Sequence, residues 1–230
     1  MSGGTVQTLV LNGWAASPHA WDLCTFRRDA LFSYIDQLDG LPEQLMEDAI
    51  RRSSDCARFV LVGWSMGGSS ALRLACRYSG QVAGIVLVAA TPRMMEDRAA
   101  GWRGMSERRL DALHRGLLLT HGEGFFGVPP DKPNPYQMDS DENLLRGLRY
   151  LEETDLRAEL AVVARNACFP VAIFQSEHDG IVRPENAAYL KSLFPQAELT
   201  FVPGAEHALP IFVPDLIDVA VAKFIADNEV

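Results

Sequence analysis

The sequence has few cysteines and no apolar run long enough to cross a membrane, and both absences narrow the class of protein. The four cysteines among 230 residues are far apart and form no C-x-x-C pair: Cys24, Cys56, Cys76 and Cys168. This spacing argues against a disulfide scaffold and indicates free, mostly buried thiols in a reducing compartment. No apolar run reaches the roughly 20 residues of a membrane-spanning helix. Residues 1–5 have neither a basic region nor an apolar signal core, so we expect a cytoplasmic protein.

Clustered metal ligands and an excess of positive charge are also missing. No group of His, Cys, Asp or Glu has the spacing of a metal site. The formal net charge is −9, which argues against nucleic acid or an anionic membrane as a general partner. We therefore expect no metal, no nucleic acid and no membrane surface to be part of the function.

Apolar runs that are typical of buried strands alternate with segments of helical periodicity. This alternation predicts an α/β fold, with a mostly parallel sheet covered by helices on both faces. Strands are predicted at Val6–Leu11, Leu31–Ile35, Phe59–Val62, Val82–Ala89, Pro170–Gln175 and Ala197–Val202. Helices are predicted at Trp21–Arg28, Leu45–Ser53, Ser69–Tyr78, Arg98–Leu119, Asp141–Leu151, Pro184–Leu193 and Pro214–Ala226. The length suits one large domain over residues 1–230 and hardly two.

The segment from about residue 93 to 150 differs from its surroundings. It lacks apolar strands and is richer in Arg, Met, Glu and Pro. We interpret it as a helical lid inserted between two strands, and call it the insertion below.

The pattern G-W-S-M-G at residues 63–67 lies between a predicted strand and a predicted helix. A G-x-S-x-G pattern in this context is typical of a nucleophile elbow, where a strained turn holds the serine at the carboxyl end of a strand. Glycines two residues either side leave room for that turn. Ser65 is therefore the candidate nucleophile.

A serine hydroxyl needs a base to accept its proton and an acid to orient that base. Asp179 and His207 each follow a later strand, at the sheet edge where catalytic groups collect. The order Ser65, Asp179, His207 is that of an α/β-hydrolase triad. Asp155 is a weaker candidate for the acid and is expected to cap or end a lid helix. The other histidines are assigned to surface or packing roles: His19, His114, His121 and His178.

These motifs resemble the α/β-hydrolases, and among them most closely the pimeloyl-acyl-carrier-protein methyl ester esterases of biotin synthesis. The matching segments lie at residues 12–14, 63–68, 154–157, 179–182 and 205–208. The resemblance implies a nucleophile at Ser65, a general base at His207 and an orienting carboxylate at Asp179. It implies an oxyanion hole made by the backbone N–H groups of Trp14 and Met66. It also implies hydrolysis of a carrier-bound methyl ester through an acyl-serine, without cofactor or metal.

The sequence departs from the family pattern in two places. Asn12 stands before Gly13 where the family usually has a histidine, and an asparagine can still hydrogen-bond the loop. The first predicted strand begins at Val6, so the leading hairpin common in the superfamily is not expected.

Large aromatic and basic residues suggest how a substrate could be held. Trp14 and Trp64 flank the site and could line a substrate channel or simply pack, and Phe125 and Phe126 could do the same from the lid.

Residues 93–115 carry six arginines against four acidic residues. Such a face could bind an acidic acyl carrier protein or a phosphopantetheine phosphate, or be a solvated helix face with i,i+4 pairs. The arginines to test first are Arg108, Arg109, Arg146 and Arg149.

Two alternatives stay open at this point. The same triad could serve a thioesterase or a general short-chain esterase. A protein of this fold could also bind a ligand or partner without catalysis, which Asn12 and the early first strand make worth testing.

Overall fold

A six-stranded, fully parallel β-sheet lies at the centre of the computed structural model, which describes residues 6–53, 57–121, 128 and 131–229. The strand order is β2-β1-β3-β4-β5-β6. The strands are β1 (Val6–Leu11), β2 (Ala30–Phe32), β3 (Arg58–Trp64), β4 (Val82–Val88), β5 (Val171–Ser176) and β6 (Glu198–Val202). The predicted α/β fold with a parallel sheet is confirmed.

Helices cover both faces of this sheet. They are α1 (Tyr34–Leu38), α2 (Leu41–Ser53), α3 (Met66–Arg77), α4 (Glu107–Thr120), α5 (Asp141–Glu153), α6 (Arg157–Val163), α7 (Pro184–Leu193), α8 (Leu209–Phe212) and α9 (Pro214–Ala226). Two short 3-10 turns lie at Pro18–Trp21 and Ser79–Gln81. No helix within the described ranges is long and apolar enough to cross a membrane.

Alternate side chains of the central strands enter two separate cores. Leu61 of β3 packs on the face covered by α2, α3 and α7, with Leu72 among its neighbours. Val62 packs on the opposite face, which α9 covers with Phe224. Because both faces of β3 and β4 are buried, their sequences are continuously apolar and do not alternate.

The predicted strand at residues 31–35 is too long, because the chain turns into a helix after Phe32. Ser33 caps α1: its Oγ accepts from Asp36 N–H at 3.1 Å, and the Asp36 carboxylate accepts from Ser33 N–H at 2.7 Å. This reciprocal capping box begins α1 at Tyr34, inside the segment where the sequence predicts a strand.

The predicted helix at Trp21–Arg28 is wrong beyond its first residue. A 3-10 turn at Pro18–Trp21 ends there. The following N–H groups, of Thr25 and Phe26, donate to the carboxylate of Asp218 on α9 at 2.8 and 3.2 Å. A side chain from a distant helix thus takes the backbone donors that a local helix would need.

The predicted helix at Arg98–Leu119 begins only at Glu107. Before it, Asp97 and Trp102 exchange backbone hydrogen bonds at 3.1 and 2.8 Å around a tight turn. Gly101 adopts φ +69° in that turn, a conformation that glycine tolerates best. The helices α6 and α8 lie in segments where no helix is predicted from the sequence.

Candidate active site

Ser65 lies in the sharp turn between β3 and α3. Its backbone has φ 55° and ψ −118°, a strained conformation for a residue with a side chain. A Cβ on Gly63 would overlap the carbonyl of Gly67, and one on Gly67 would overlap the carbonyl of Leu11. Both glycines are therefore required by close backbone contacts. The turn leaves Ser65 Oγ free of any capping hydrogen bond to α3.

The loops after β5 and β6 bring an imidazole and a carboxylate to this hydroxyl. His207 Nε2 lies 2.9 Å from Ser65 Oγ, and His207 Nδ1 lies 2.9 Å from Asp179 Oδ2. The exposed fractions of Ser65, Asp179 and His207 are 6%, 6% and 3%. The structure thus joins three residues from three strand ends into one buried, hydrogen-bonded row.

The carboxylate of Asp179 is held by donors from its own loop and from β5. The N–H groups of Ile181 and Val182 donate to Oδ1 at 2.8 and 2.9 Å, and Gln175 Nε2 donates to Oδ2 at 3.2 Å. Gln175 is fully buried and also donates to the carbonyl of Val182. Gln175 is not among the site residues predicted from the sequence, although a polar residue at the end of an apolar strand was a usable signal.

The backbone of His207 is tied to the elbow strand by Trp64. The indole Nε1–H of Trp64 donates to the carbonyl of His207 at 3.0 Å. The two rings pack with their centroids 5.8 Å apart. Trp64 therefore contacts His207 directly and helps to position it.

The loop after β1 lies against the serine. A Cβ built on Gly13 would be 3.3 Å from Ser65 Cβ. Among the described residues, the backbone N–H groups of Trp14 and Met66 have no hydrogen-bond acceptor. Donors without an acceptor beside a nucleophile are what an oxyanion hole requires.

Asn12 is a buried part of the same loop, and its polar groups are used within it. Trp21 Nε1–H donates to Asn12 Oδ1 at 2.5 Å, and Gln37 Nε2–H donates to the Asn12 carbonyl at 2.9 Å. The side-chain amide of Asn12 points to the carbonyl of Ser17 at 3.4 Å. Asn12 thus braces the loop, and its partner Gln37 lies on the short helix α1.

The alpha/beta hydrolase family matches residues 9–218, which is most of the chain. The chain belongs to the alpha/beta hydrolase family. Among solved structures, a hydrolase from Oleispira antarctica has a TM-score of 0.72 at 17% identity, covering 99% of this chain and 93% of its own. An esterase from Exiguobacterium antarcticum has a TM-score of 0.70 at 17% identity, covering 98% and 93%. At these identities the likeness concerns the fold.

Two curated relatives of this alpha/beta hydrolase carry the same name, pimeloyl-[acyl-carrier protein] methyl ester esterase. The protein from Nitrosospira multiformis is 29% identical over 217 residues, covering 86% of this chain and 80% of its own length. The protein from Nitrosomonas europaea is 26% identical over 247 residues, covering 93% of each chain.

The alpha/beta hydrolase has a small apolar cavity directly over Ser65. Its volume is about 20 Å³, room for about one water molecule. Tyr136 lines this cavity together with Ser65. Burial and the negative charge of Asp179 raise the pKa of the Tyr136 phenol well above its usual value. The remaining lining residues come from the sheet edge and the insertion: Gly13, Trp14, Trp64, Met94, Leu110, Leu113, Leu148, Leu151, Ile181 and His207.

The four arginines selected from the sequence fall into two groups. Arg146 pairs with Asp39 at 2.7 Å, and Arg109 donates to the carbonyl of Gly180. Arg108 and Arg149 are exposed and make no ion pair with any described residue. A wide groove of about 750 Å³ on the outer surface of the insertion includes Arg108. It mixes basic and acidic side chains and contains no residue of the buried row.

The remaining candidates lie away from the site or outside the described residues. Asp155 pairs with Arg93 and Arg157 and accepts from the first N–H of α6. The exposed His19 pairs with Asp22 at 2.7 Å. His178 and His121 are exposed, and His114 approaches Asp141 at 2.8 Å.

Phe125 and Phe126 fall outside the described residues. Within the described ranges no cluster of His, Cys, Asp and Glu could hold a metal ion.

Proposed function

We propose that this protein is a serine carboxylesterase that hydrolyses the methyl ester of a pimeloyl group attached to acyl carrier protein. The row formed by Ser65, His207 and Asp179, with 2.9 Å at both links, carries the proposal of a serine esterase. The names of the curated relatives support the substrate.

In the acylation step, His207 Nε2 accepts the proton of Ser65 Oγ as the oxygen attacks the ester carbonyl. Asp179 accepts a hydrogen bond from His207 Nδ1–H, which fixes the tautomer and stabilises the imidazolium. The negative oxygen of the tetrahedral intermediate is held by the N–H groups of Met66 and Trp14. Each such donor lowers the barrier by about 3 kcal/mol.

The intermediate collapses when His207 gives its proton to the leaving methoxide, which departs as methanol. An acyl ester on Ser65 remains. His207 then takes a proton from a water molecule as that water attacks the acyl carbonyl. Return of the proton to Ser65 releases the carboxylic acid, so that one water is consumed for each ester cleaved.

The cavity over Ser65 suits a small alcohol group better than a large one. Its volume of about 20 Å³ leaves space for little more than a methyl group. A pimeloyl chain needs more room, so side chains of the insertion must turn or move aside when it binds. The apolar lining from Leu110, Leu113 and Leu148 suits a methylene chain.

An acidic carrier would meet Arg108 and Arg149 first, because both side chains are exposed and make no ion pair with a described residue. Reversing both to Glu is expected to raise KM for the carrier-bound ester about tenfold or more and to leave p-nitrophenyl acetate unaffected. Arg165→Glu is the matched control, since this exposed arginine precedes β5 at the opposite edge of the sheet. Equal effects on both substrates would remove the docking interpretation.

The substrate proposal is tested by comparing methyl pimeloyl-carrier ester with acyl thioesters and p-nitrophenyl esters. A preference for the methyl ester supports the proposal, whereas a preference for thioesters makes the protein a thioesterase.

The gene should also restore growth of a biotin auxotroph that lacks its own esterase, and the Ser65→Ala gene should not. Rescue by both genes would show that Ser65 is not the nucleophile, whereas rescue by neither would support a non-catalytic protein. The cytoplasmic location stays a prediction of the sequence.

A further inference from the structure

We propose that the indole of Trp14 couples the insertion to the oxyanion loop, so that the position of α5 sets the position of an oxyanion donor. The inference rests on the proposed function for its catalytic consequence. Its geometric part stands on contacts between Trp14, Leu144 and Gly147. In this role the Trp14 side chain is a positioning group, distinct from the backbone N–H that faces the reacting oxygen.

Trp14 has two N–H groups that serve two regions of the molecule. Its backbone N–H, on the loop beside Ser65, has no acceptor among the described residues. Its indole Nε1–H donates to the carbonyl of Leu144 at 2.9 Å, a residue 130 positions away on α5. The side chain is only 6% exposed, so the indole has little freedom to move independently of the helix.

Gly147 makes this close contact possible. A Cβ at this position would lie 2.5 Å from Trp14 Cδ1, 3.0 Å from Trp14 Nε1 and 3.1 Å from Tyr34 Cδ2. Glycine in a helix interior is less favourable than alanine. The indole lying against the backbone of α5 gives a packing reason for that unfavourable choice.

The amino-terminal half of α5 is also tied to α1. Tyr34 Oη–H donates to Asp139 Oδ2 at 2.8 Å, just before α5 begins. Arg146 on α5 pairs with Asp39 at the end of α1. These two contacts hold α5 on both sides of the indole contact. Because the Trp14 indole is hydrogen-bonded to the backbone of α5, a shift of this helix must displace Trp14 or break that hydrogen bond.

The catalytic consequence concerns turnover more than binding. An oxyanion donor acts on charge that develops in the transition state, so misplacing it lowers kcat with little change in KM. Gly147 has no side chain and Leu144 has only an apolar one, so neither supplies a group for proton transfer or nucleophilic attack, and neither is among the residues that line the cavity over Ser65. The shortest contacts of a Cβ at Gly147 are to the indole of Trp14, so a loss of kcat in Gly147→Ala that disappears when Trp14 is replaced is assigned to Trp14.

The experiment compares Gly147→Ala, Trp14→Phe and the double variant, using p-nitrophenyl acetate. Gly147→Ala should lower kcat about tenfold or more with KM within about twofold. The smaller ring in Trp14→Phe leaves room for the new Cβ, so the double variant should be no worse than Trp14→Phe alone, a non-additive result. Gly80→Ala is the control, since no atom lies within 4 Å of a Cβ at that position, and it should keep the wild-type kcat. Wild-type kcat in Gly147→Ala, or additive losses in the double variant, would overturn the coupling.

A second readout does not depend on activity. In the Ser65→Ala background, the Trp14 indole N–H resonance is identified by its loss in Trp14→Phe. Adding Gly147→Ala should shift that resonance and speed its hydrogen exchange. An unchanged resonance refutes the coupling even if the protein is an esterase, whereas a shifted one supports it even if the substrate assignment fails.

Discussion

The two walls of the cavity over Ser65 are built differently. The sheet-edge wall carries the polar groups, Ser65 and His207, with the Asp179 carboxylate behind them, and short loops leaving parallel strands fix their positions. The insertion wall consists of apolar side chains such as Leu110, Leu113 and Leu148 on α4 and α5. We propose on this basis that the sheet edge carries out the bond-breaking chemistry, whereas the insertion selects the acyl group.

The largest expected effects come from the sheet-edge wall. Ser65→Ala or His207→Ala should lower kcat by about 10⁶-fold, and Asp179→Asn by about 10⁴-fold, because these changes remove the nucleophile, its base and the group that orients the base. Initial rates with p-nitrophenyl acetate and with the carrier-bound ester should fall together. Any of these variants retaining a tenth of wild-type kcat would break the proposed division between the walls.

A smaller effect is expected from the insertion wall, and on selectivity more than on rate. Leu113→Ala should raise kcat/KM for p-nitrophenyl hexanoate relative to acetate by about tenfold, because the shortened side chain leaves space for methylene groups. The control is Leu119→Ala on the same helix, where the side chain is 81% exposed. An unchanged ratio of the two substrates in Leu113→Ala would mean that the acyl chain does not contact this wall.

Ion pairs attach the first part of the insertion to the start of α6. Removing them should lower the free energy of unfolding and leave kcat unchanged. Arg157 approaches Asp155 and Asp97 with Nη2 at 2.8 Å from each, and Arg93 Nη1 approaches Asp155 at 2.5 Å. Hydrogen bonding to Arg157 lowers the pKa of Asp155. Asp155→Asn should lower the free energy of unfolding at pH 7 by about 1–3 kcal/mol, with kcat unchanged.

The pH dependence follows from the direction of that shift. A carboxyl with a depressed pKa in the folded state stabilises the protein above its unfolded pKa, and the contribution is lost as pH falls below about 4. Urea unfolding at several pH values should therefore show wild type and Asp155→Asn converging at acid pH. Asp48→Asn is the control, because it alters an exposed pair with Arg51 that should contribute little. A constant difference between wild type and Asp155→Asn at every pH would contradict this interpretation.

The sheet-edge wall was largely predictable from the sequence, because its determinants are local. The close backbone contacts of a nucleophile elbow require glycine at positions 63 and 67. Both glycines belong to the same five-residue motif, so they can be recognised from the sequence. Asp179 and His207 could be selected because each follows an apolar strand, and parallel strands bring their carboxyl ends together.

The insertion wall was less predictable, since its contacts join residues far apart in the chain. Nothing near Trp14 indicates that its indole reaches Leu144, and nothing near Thr25 indicates that Asp218 takes its backbone donor. The helix predicted from Arg98 failed for a local reason, the turn at Gly101. Helical periodicity alone did not reveal that break.

The role of Ser65 as the activated nucleophile is tested by mapping where a fluorophosphonate probe reacts. Intact wild-type protein is treated with the probe, digested, and the modified peptide is sequenced by mass spectrometry. We predict one adduct on Ser65, formed at least about 100-fold more slowly in His207→Ala because the base is gone. No adduct on wild-type protein, or an adduct on a different serine, would contradict the proposal that Ser65 is activated by His207 and Asp179.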